Sequence, residues 1–296
     1  EIQGGVTPTQ LQTRPLKAGA SIEWTECLCP LSIDPKAAHD PDYAAACWAV
    51  GQVAARDIPF AALQEMDAFL KTQADAPVRT VLARGAGWGM LHEKRTGRRL
   101  SPGLAFETAL GAEERPWDEL LTLGTFSERT LGEAPRSFNV SPGWTAVVRE
   151  SMKSKGATPL HHLHLGVAQM EAGAFDEARA SFEASVALKP NAAAYRNLAL
   201  LFERGGDPDA AQGAYSRAWK LCGEDRDLAV ELCAFLVRHK RDAAFRTFAE
   251  LLPPSVASCE RIQLMLAQLA LSRGDCPAVR RLLQREFCTI REGEVS

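Results

Sequence analysis

The sequence predicts a mainly α fold, an α-α superhelix of stacked helical hairpins, with a short β segment at the N-terminus. Three observations carry that expectation. Apolar residues recur at three- and four-residue spacing through most of the 296 residues. Pairs of a large and a small residue recur at Leu165-Gly166, Leu198-Ala199, Leu232-Cys233 and Leu266-Ala267, with offsets of 33, 34 and 34 residues. Strand-like alternation is confined to the first 35 residues.

Residues 1–35 hold two short strand-like runs, Gln10 to Thr13 and Ala20 to Glu26, on either side of a turn region with Pro15 and Gly19. So small a β segment is marginal alone. It is expected to pack on the helices behind it or to complete the end of an upstream β-sandwich. The start at Glu1, without Met, leaves a longer parent protein open.

Residues 36–155 read as helical pairs and a connector. Asp40-Pro41-Asp42 supplies cap chemistry for a helix with Tyr43, Cys47, Val50, Val53 and Ala54 on one face. A second helix follows Pro59 with Leu63, Met66, Phe69 and Leu70. Residues 76–96 read as another hairpin broken at Gly85-Ala86-Gly87, and Glu114 to Leu123 as a short helix. Ser141-Pro142 opens a helix containing Trp144, Val147 and Val148, with proline at the first helical position, where its missing N–H costs nothing.

Residues 156–290 hold the repeat, whose clearest unit spans 159–190. Gly166 and Ala178 are the small residues where two helices touch, Leu165 and Phe182 fill the space around them, Gly173 breaks the chain and Pro190 ends the second helix. The order recurs as Leu198-Ala199, Gly206, Ala211 and Tyr215, then as Leu232-Cys233, Ala244 and Phe248, then as Leu266-Ala267, Gly274, Val279 and Leu283. The third unit has His239-Lys240-Arg241-Asp242 in place of a turn glycine, which leaves its turn geometry open.

A period near 34 residues built of two helices signals a solenoid. This series resembles the tetratricopeptide repeat, closely in the first unit, fairly in the second and degenerately in the last two. The N-terminal residues Glu1-Ile2-Gln3, Pro8-Thr9-Gln10, Pro15, Gly19 and Trp24-Thr25-Glu26, with helices and then these repeats behind them, are similar to an uncharacterised bacterial family. In that family a galactose-mutarotase-like β-sandwich precedes a tetratricopeptide tail.

The tetratricopeptide resemblance implies a concave groove lined by the first helix of each hairpin, and from it a binding surface of His164, Arg196, Asn197, Leu200, Glu203, Arg204, Arg238 and Gln268. Met170, Glu231, Arg261 and Met265 fall on the same face. A solvated helix face accounts for any one of these charges equally. The Lys-and-Asn carboxylate clamp of chaperone-binding members is missing, because the fifth groove position is Leu163, Arg196, Val230 and Leu264 in turn. Glu1, Gln3, Gln10, Trp24 and Glu26 form a polar and aromatic set of the kind that faces sugars, although alternation on a half-exposed strand explains them as well.

Other chemistries find little support. A net charge of −3 gives no basic field for phosphates, so nucleic acid is not an expected partner. No phosphate loop, nucleophile elbow, zinc-protease helix or dinucleotide fingerprint occurs, and neither a cofactor nor a catalytic residue is assigned. Gly85-Ala86-Gly87-Trp88-Gly89 lacks the Lys-Ser/Thr end of a phosphate loop. Eight cysteines lie mostly in apolar helical patterns, and the Cys27-Leu28-Cys29 pair alone does not make a metal site. His161 and His164, one helical turn apart, would supply only two ligands, so no metal is expected. Without a leader or a run of 18 apolar residues, the chain is expected to be cytoplasmic and free of the membrane. Two functions follow as expectations: a protein-binding or scaffolding module, or the C-terminal portion of a carbohydrate-binding or carbohydrate-processing protein. The partners they imply are a protein segment or neighbouring domain, or carbohydrate through the upstream domain.

Overall fold

Asp and Asn caps and Pro at first helical positions punctuate the chain into helices. The structure, a computed structural model, describes residues 4–7, 9, 11–74, 79–127, 129–130, 134–284 and 287. It divides into two compact units, Glu1–Arg84 with Arg99–Ala105, and Gly85–Arg98 with Phe106–Ser296.

The first unit holds α1 (Pro35–Ala38), α2 (Tyr43–Asp57) and α3 (Phe60–Ala74). The Asp34 and Asp42 side chains accept from the Lys36 and Ala44 N–H groups and cap α1 and α2. Among the described residues the expected β segment does not form. Residues 11–13 and 20–26 are coil, and the one β-bridge among the described residues is the isolated pair Gly85 and Phe106. A two-stranded piece has no buried face to stabilise it. Instead the extended stretch is tied to α3 by polar contacts, Thr25 Oγ1 donating to Asp67 and Lys71 pairing with Glu23 at 3.0 Å. The apolar face read on α2 is also not buried: Tyr43 and Cys47 are exposed, and Ala46 is the helix's one buried residue.

The second unit begins with α4 (Gly87–Thr96), α5 (Arg115–Leu123) and α6 (Pro142–Lys155). Of the hairpin expected over 76–96 the described residues hold a single helix, because residues 79–86 are non-helical and Gly85 accepts from Glu107 N–H. Four hairpins follow: α7 (Pro159–Glu171) with α8 (Phe175–Leu188), α9 (Ala192–Arg204) with α10 (Pro208–Leu221), α11 (Arg226–Arg238) with α12 (Asp242–Glu250), and, after the short α13 (Pro254–Ala257), α14 (Glu260–Ser272) with α15 (Cys276–Leu283). Helices pack within each hairpin and from one hairpin to the next, α9 on α8, α11 on α10 and α14 on α11. This regular progression is the expected α-α superhelix.

Close packing decides the small positions. A Cβ added to Gly166 would stand 2.5 Å from the ring of Phe182, which is fully buried beside Ala178. Any side chain at 166 would force the two helices apart.

The four turns are alike in detail. Gly173, Gly206 and Gly274 take left-handed φ angles of 76°, 78° and 72°, and Lys240 takes 54° at the corresponding place in the third unit. The following residue then donates backward to the first helix in each case: Ala174 to Gln169, Asp207 to Phe202, Arg241 to Leu236 and Asp275 to Ala270. This bond satisfies an orphan carbonyl of the helix end. The missing glycine thus leaves the turn intact, at the cost of a strained lysine.

The same turn register moves one sequence reading. Counted from Lys240, the places of Ala178 and Phe182 fall to Phe245 and Ala249, not to Ala244 and Phe248. Phe245 is fully buried and Ala249 partly so. Large and small have changed places in this hairpin, which kept the volume and hid the register. Phe248 packs edge-on to Trp219 instead, ring centroids 5.2 Å apart.

Candidate protein-binding surface

First-helix side chains that face away from their own hairpin form the surface on which binding was expected. At its N-terminal end this surface is covered. Trp117 of α5 is fully buried, its ring 5.2 Å from Trp144 of α6 and 4.7 Å from His164 of α7. Its indole N–H donates to Ser137 Oγ at 2.9 Å, which in turn donates to the Glu113 carbonyl. Phe126 and Phe138 complete an aromatic wall around His164.

His164 is therefore a core residue, 4% exposed, and not part of a groove. Burial pushes its pKa down to about 3 and holds it neutral. His161, also buried, is brought down to about 4 by the same cause. Its Nδ1 accepts from Thr158 N–H, so Nε2 carries the proton and donates to Ser151 Oγ at 2.6 Å. Ser151 passes the chain on to the Gly124 carbonyl. The two imidazoles thus serve separate contacts, and among the described residues no group of three or more His, Cys, Asp or Glu could hold a metal ion.

Midway along the surface the charges pair across repeats. Arg196 of α9 meets Glu231 of α11 at 2.9 Å, and Tyr215 donates to the same carboxylate at 3.0 Å. Arg196 also donates to Asn197 Oδ1, and Asn197 is itself buried. Arg238 grips Glu203 with two bonds, of 2.8 and 3.2 Å, while His239 Nε2 lies 2.8 Å from the same carboxylate. Those donors hold the Glu203 carboxyl below its usual range against the opposing effect of its burial. Leu200 packs partly buried against the core, and Arg204 is exposed with its guanidinium 3.9 Å from the Phe175 ring centroid.

At the C-terminal end the surface opens into an apolar cleft of about 680 Å³. Arg261, Leu264, Met265 and Leu271 of α14 line it together with Val230 and Ala234 of α11 and Val279 and Leu283 of α15. Gln268, exposed, lies in the lining. Of the eight candidate groove residues, the structure places only Gln268 in this cleft. Leu271, Val279 and Leu283 were missed. The signal was present as apolar types at outward positions of the last repeat, but the same letters also describe a packed seam.

Of the five candidate sugar-facing residues, Glu1, Gln3 and Gln10 lie outside the described residues. Trp24 and Glu26 are exposed neighbours, the indole N–H donating to the carboxylate at 3.1 Å. No helix among the described residues is long and apolar enough to cross a membrane.

The fold is that of tetratricopeptide-type hairpins. No protein-family model matches the chain, and no curated protein does. Solved structures similar to it include one of Pseudomonas aeruginosa pilF, 17% identical, covering 49% of this chain and 69% of its own, with a TM-score of 0.39. A tetratricopeptide repeat protein from Parabacteroides merdae is 17% identical over 58% of this chain and 62% of its own, less than two thirds of its length, at 0.42. YrrB, a tetratricopeptide protein described as having an unusual peptide-binding site, is 11% identical over 48% of this chain and 73% of its own, at 0.40.

Proposed function

We propose that this chain is a protein-binding module whose repeat array holds a protein segment in the cleft between its third and fourth hairpins. The carrying observation is a row of apolar side chains that no described residue covers fully, the half-buried Leu264 and Met265 and the exposed Leu271, facing a space of about 680 Å³. Uncovered apolar surface of this kind is costly in water and typical of interaction sites. Gln268 supplies a polar anchor in the cleft, and Arg204 an exposed cation farther along the first-helix face. The pairing of Arg196 with Glu231 and of Arg238 with Glu203 supports an apolar rather than a charge-led mode of recognition.

The test is selection of peptides from a displayed random library on the immobilised full chain, run in parallel on Leu264→Asp. Enriched sequences that bind the native chain and lose binding to the variant are expected. A selection with no enriched sequences, or one indifferent to Leu264, would discard the reading.

A further inference from the structure

The array supplies its own precedent for what fills such a cleft. Ala178 and Phe182 on α8, and Ala211 and Tyr215 on α10, have no exposed surface at all. In each case another first helix follows and packs against the hairpin: α9 on α8 and α7, α11 on α10. By the turn register, Val279 and Leu283 on α15 hold the corresponding places. Both line the open cleft, and Leu283 is 47% exposed.

The helices that do the covering share one pattern. The α9 helix buries Ala194, Leu198 and Leu201, and α11 buries Leu228, Leu232 and Phe235. These are i, i+4 and i+7 positions, a single apolar stripe. The cleft also adjoins an existing interface, since Val230 and Ala234 in its lining belong to α11, the helix on which α14 packs. No carboxylate is in its lining, and Arg261 is the one charged residue there.

Building on the protein-binding reading, we infer that the segment held in the cleft is an amphipathic α-helix of a partner protein, seated as a fifth first-helix. It presents apolar residues at i, i+4 and i+7 to Leu264, Leu271, Val279 and Leu283. Binding is carried by apolar burial, so its affinity responds weakly to salt.

The probe is a fluorescein-labelled peptide of residues 226–238, the α11 sequence, titrated into the full chain and read by anisotropy and by gain of helical circular dichroism. Saturable binding with helix gain is expected. About a tenfold or greater loss is expected in Leu264→Asp, and separately in Leu283→Asp, whose exposed position keeps folding out of the result. A peptide carrying Leu232→Pro should not bind, because proline breaks the helix. Equal binding of the proline peptide, no saturable binding, or indifference to both cleft variants would overturn the inference. So would a chain that sediments as a dimer through the cleft, or one that takes up peptide only after residues 285–296 are removed; these assign the cleft to a second copy or to the chain's own tail. Library peptides that need Leu264 but remain extended would sink the helix and spare the protein-binding reading.

Discussion

The two ends of the repeat array bury the same kind of surface to opposite extents. In the first hairpin the outward residues Leu160, Leu163 and His164 are buried at 6%, 1% and 4% exposure beneath a cap of α4, α5 and α6. In the fourth, Arg261, Leu264 and Met265 occupy the corresponding places and line an open cleft. Residue type alone does not separate the ends, since Leu163 and Leu264 are the same residue at the same place of the repeat. The difference is that one end is followed inward by tryptophans from outside the repeat, and the other has no such cover among the described residues. An array of equivalent units thus acquires a direction, a closed end that fixes structure and an open end available for contact.

The largest expected effect breaks the closed end. Trp117→Ala should cost about 3–5 kcal/mol, because it empties the centre of an aromatic cluster, whereas Leu271→Ala at the open end, where the side chain is 63% exposed, should cost under about 1 kcal/mol. Urea unfolding followed by circular dichroism measures both. Losses of similar size would mean that the ends are not distinct.

Acid should strain the closed end selectively. His161 and His164 titrate at about 4 and about 3 in the fold, below the ordinary histidine value near 6.5. The unfolded chain therefore binds more protons in this window. Stability is complete above about pH 6.5 and falls as pH drops toward 4, by up to about 1.4 kcal/mol per pH unit for each histidine. The lowered carboxyls of Glu119 and Glu203 add losses only below their ordinary range, at more acidic pH. Urea midpoints between pH 7 and 4.5 check this, and His164→Leu should flatten the slope.

The smallest effect sharpens the comparison from the other side. Lys240→Gly should stabilise the chain by about 0.5–1 kcal/mol, since the left-handed turn at φ 54° strains a lysine but not a glycine. A thermal melt that rises in this variant would show that the third hairpin keeps the repeat geometry despite its lost signature. An unchanged or lower melt would mean that the lysine side chain offsets its own strain.

Much of the fold was legible in the sequence because it rests on local chemistry. The large–small pairs at 165, 198, 232 and 266, the turn glycines and the prolines at helix starts all act within one hairpin, so their spacing can be read along the chain. The third hairpin was misaligned by one residue because Phe245 and Ala249 exchange size, and a volume-conserving exchange is silent in a pattern of large and small letters. The expected β segment is not found among the described residues because alternation says how a strand would face, not whether another strand is present to receive it. On the first-helix surface, the pairing of the charges was not legible. Arg196, Glu203 and Arg238 look available in one dimension, and each meets its partner about one repeat away, at Glu231, Arg238 and Glu203.

The residues alone determined that helical hairpins form here and that they recur every 33 or 34 positions, because propensity, turn geometry and the i, i+4 stripe act over a few residues. Only the tertiary arrangement decided which apolar rows are hidden. His164 and Leu264 both lie on first-helix faces, and what separates them is whether Trp117, 47 residues away in the chain, folds over one and whether anything folds over the other.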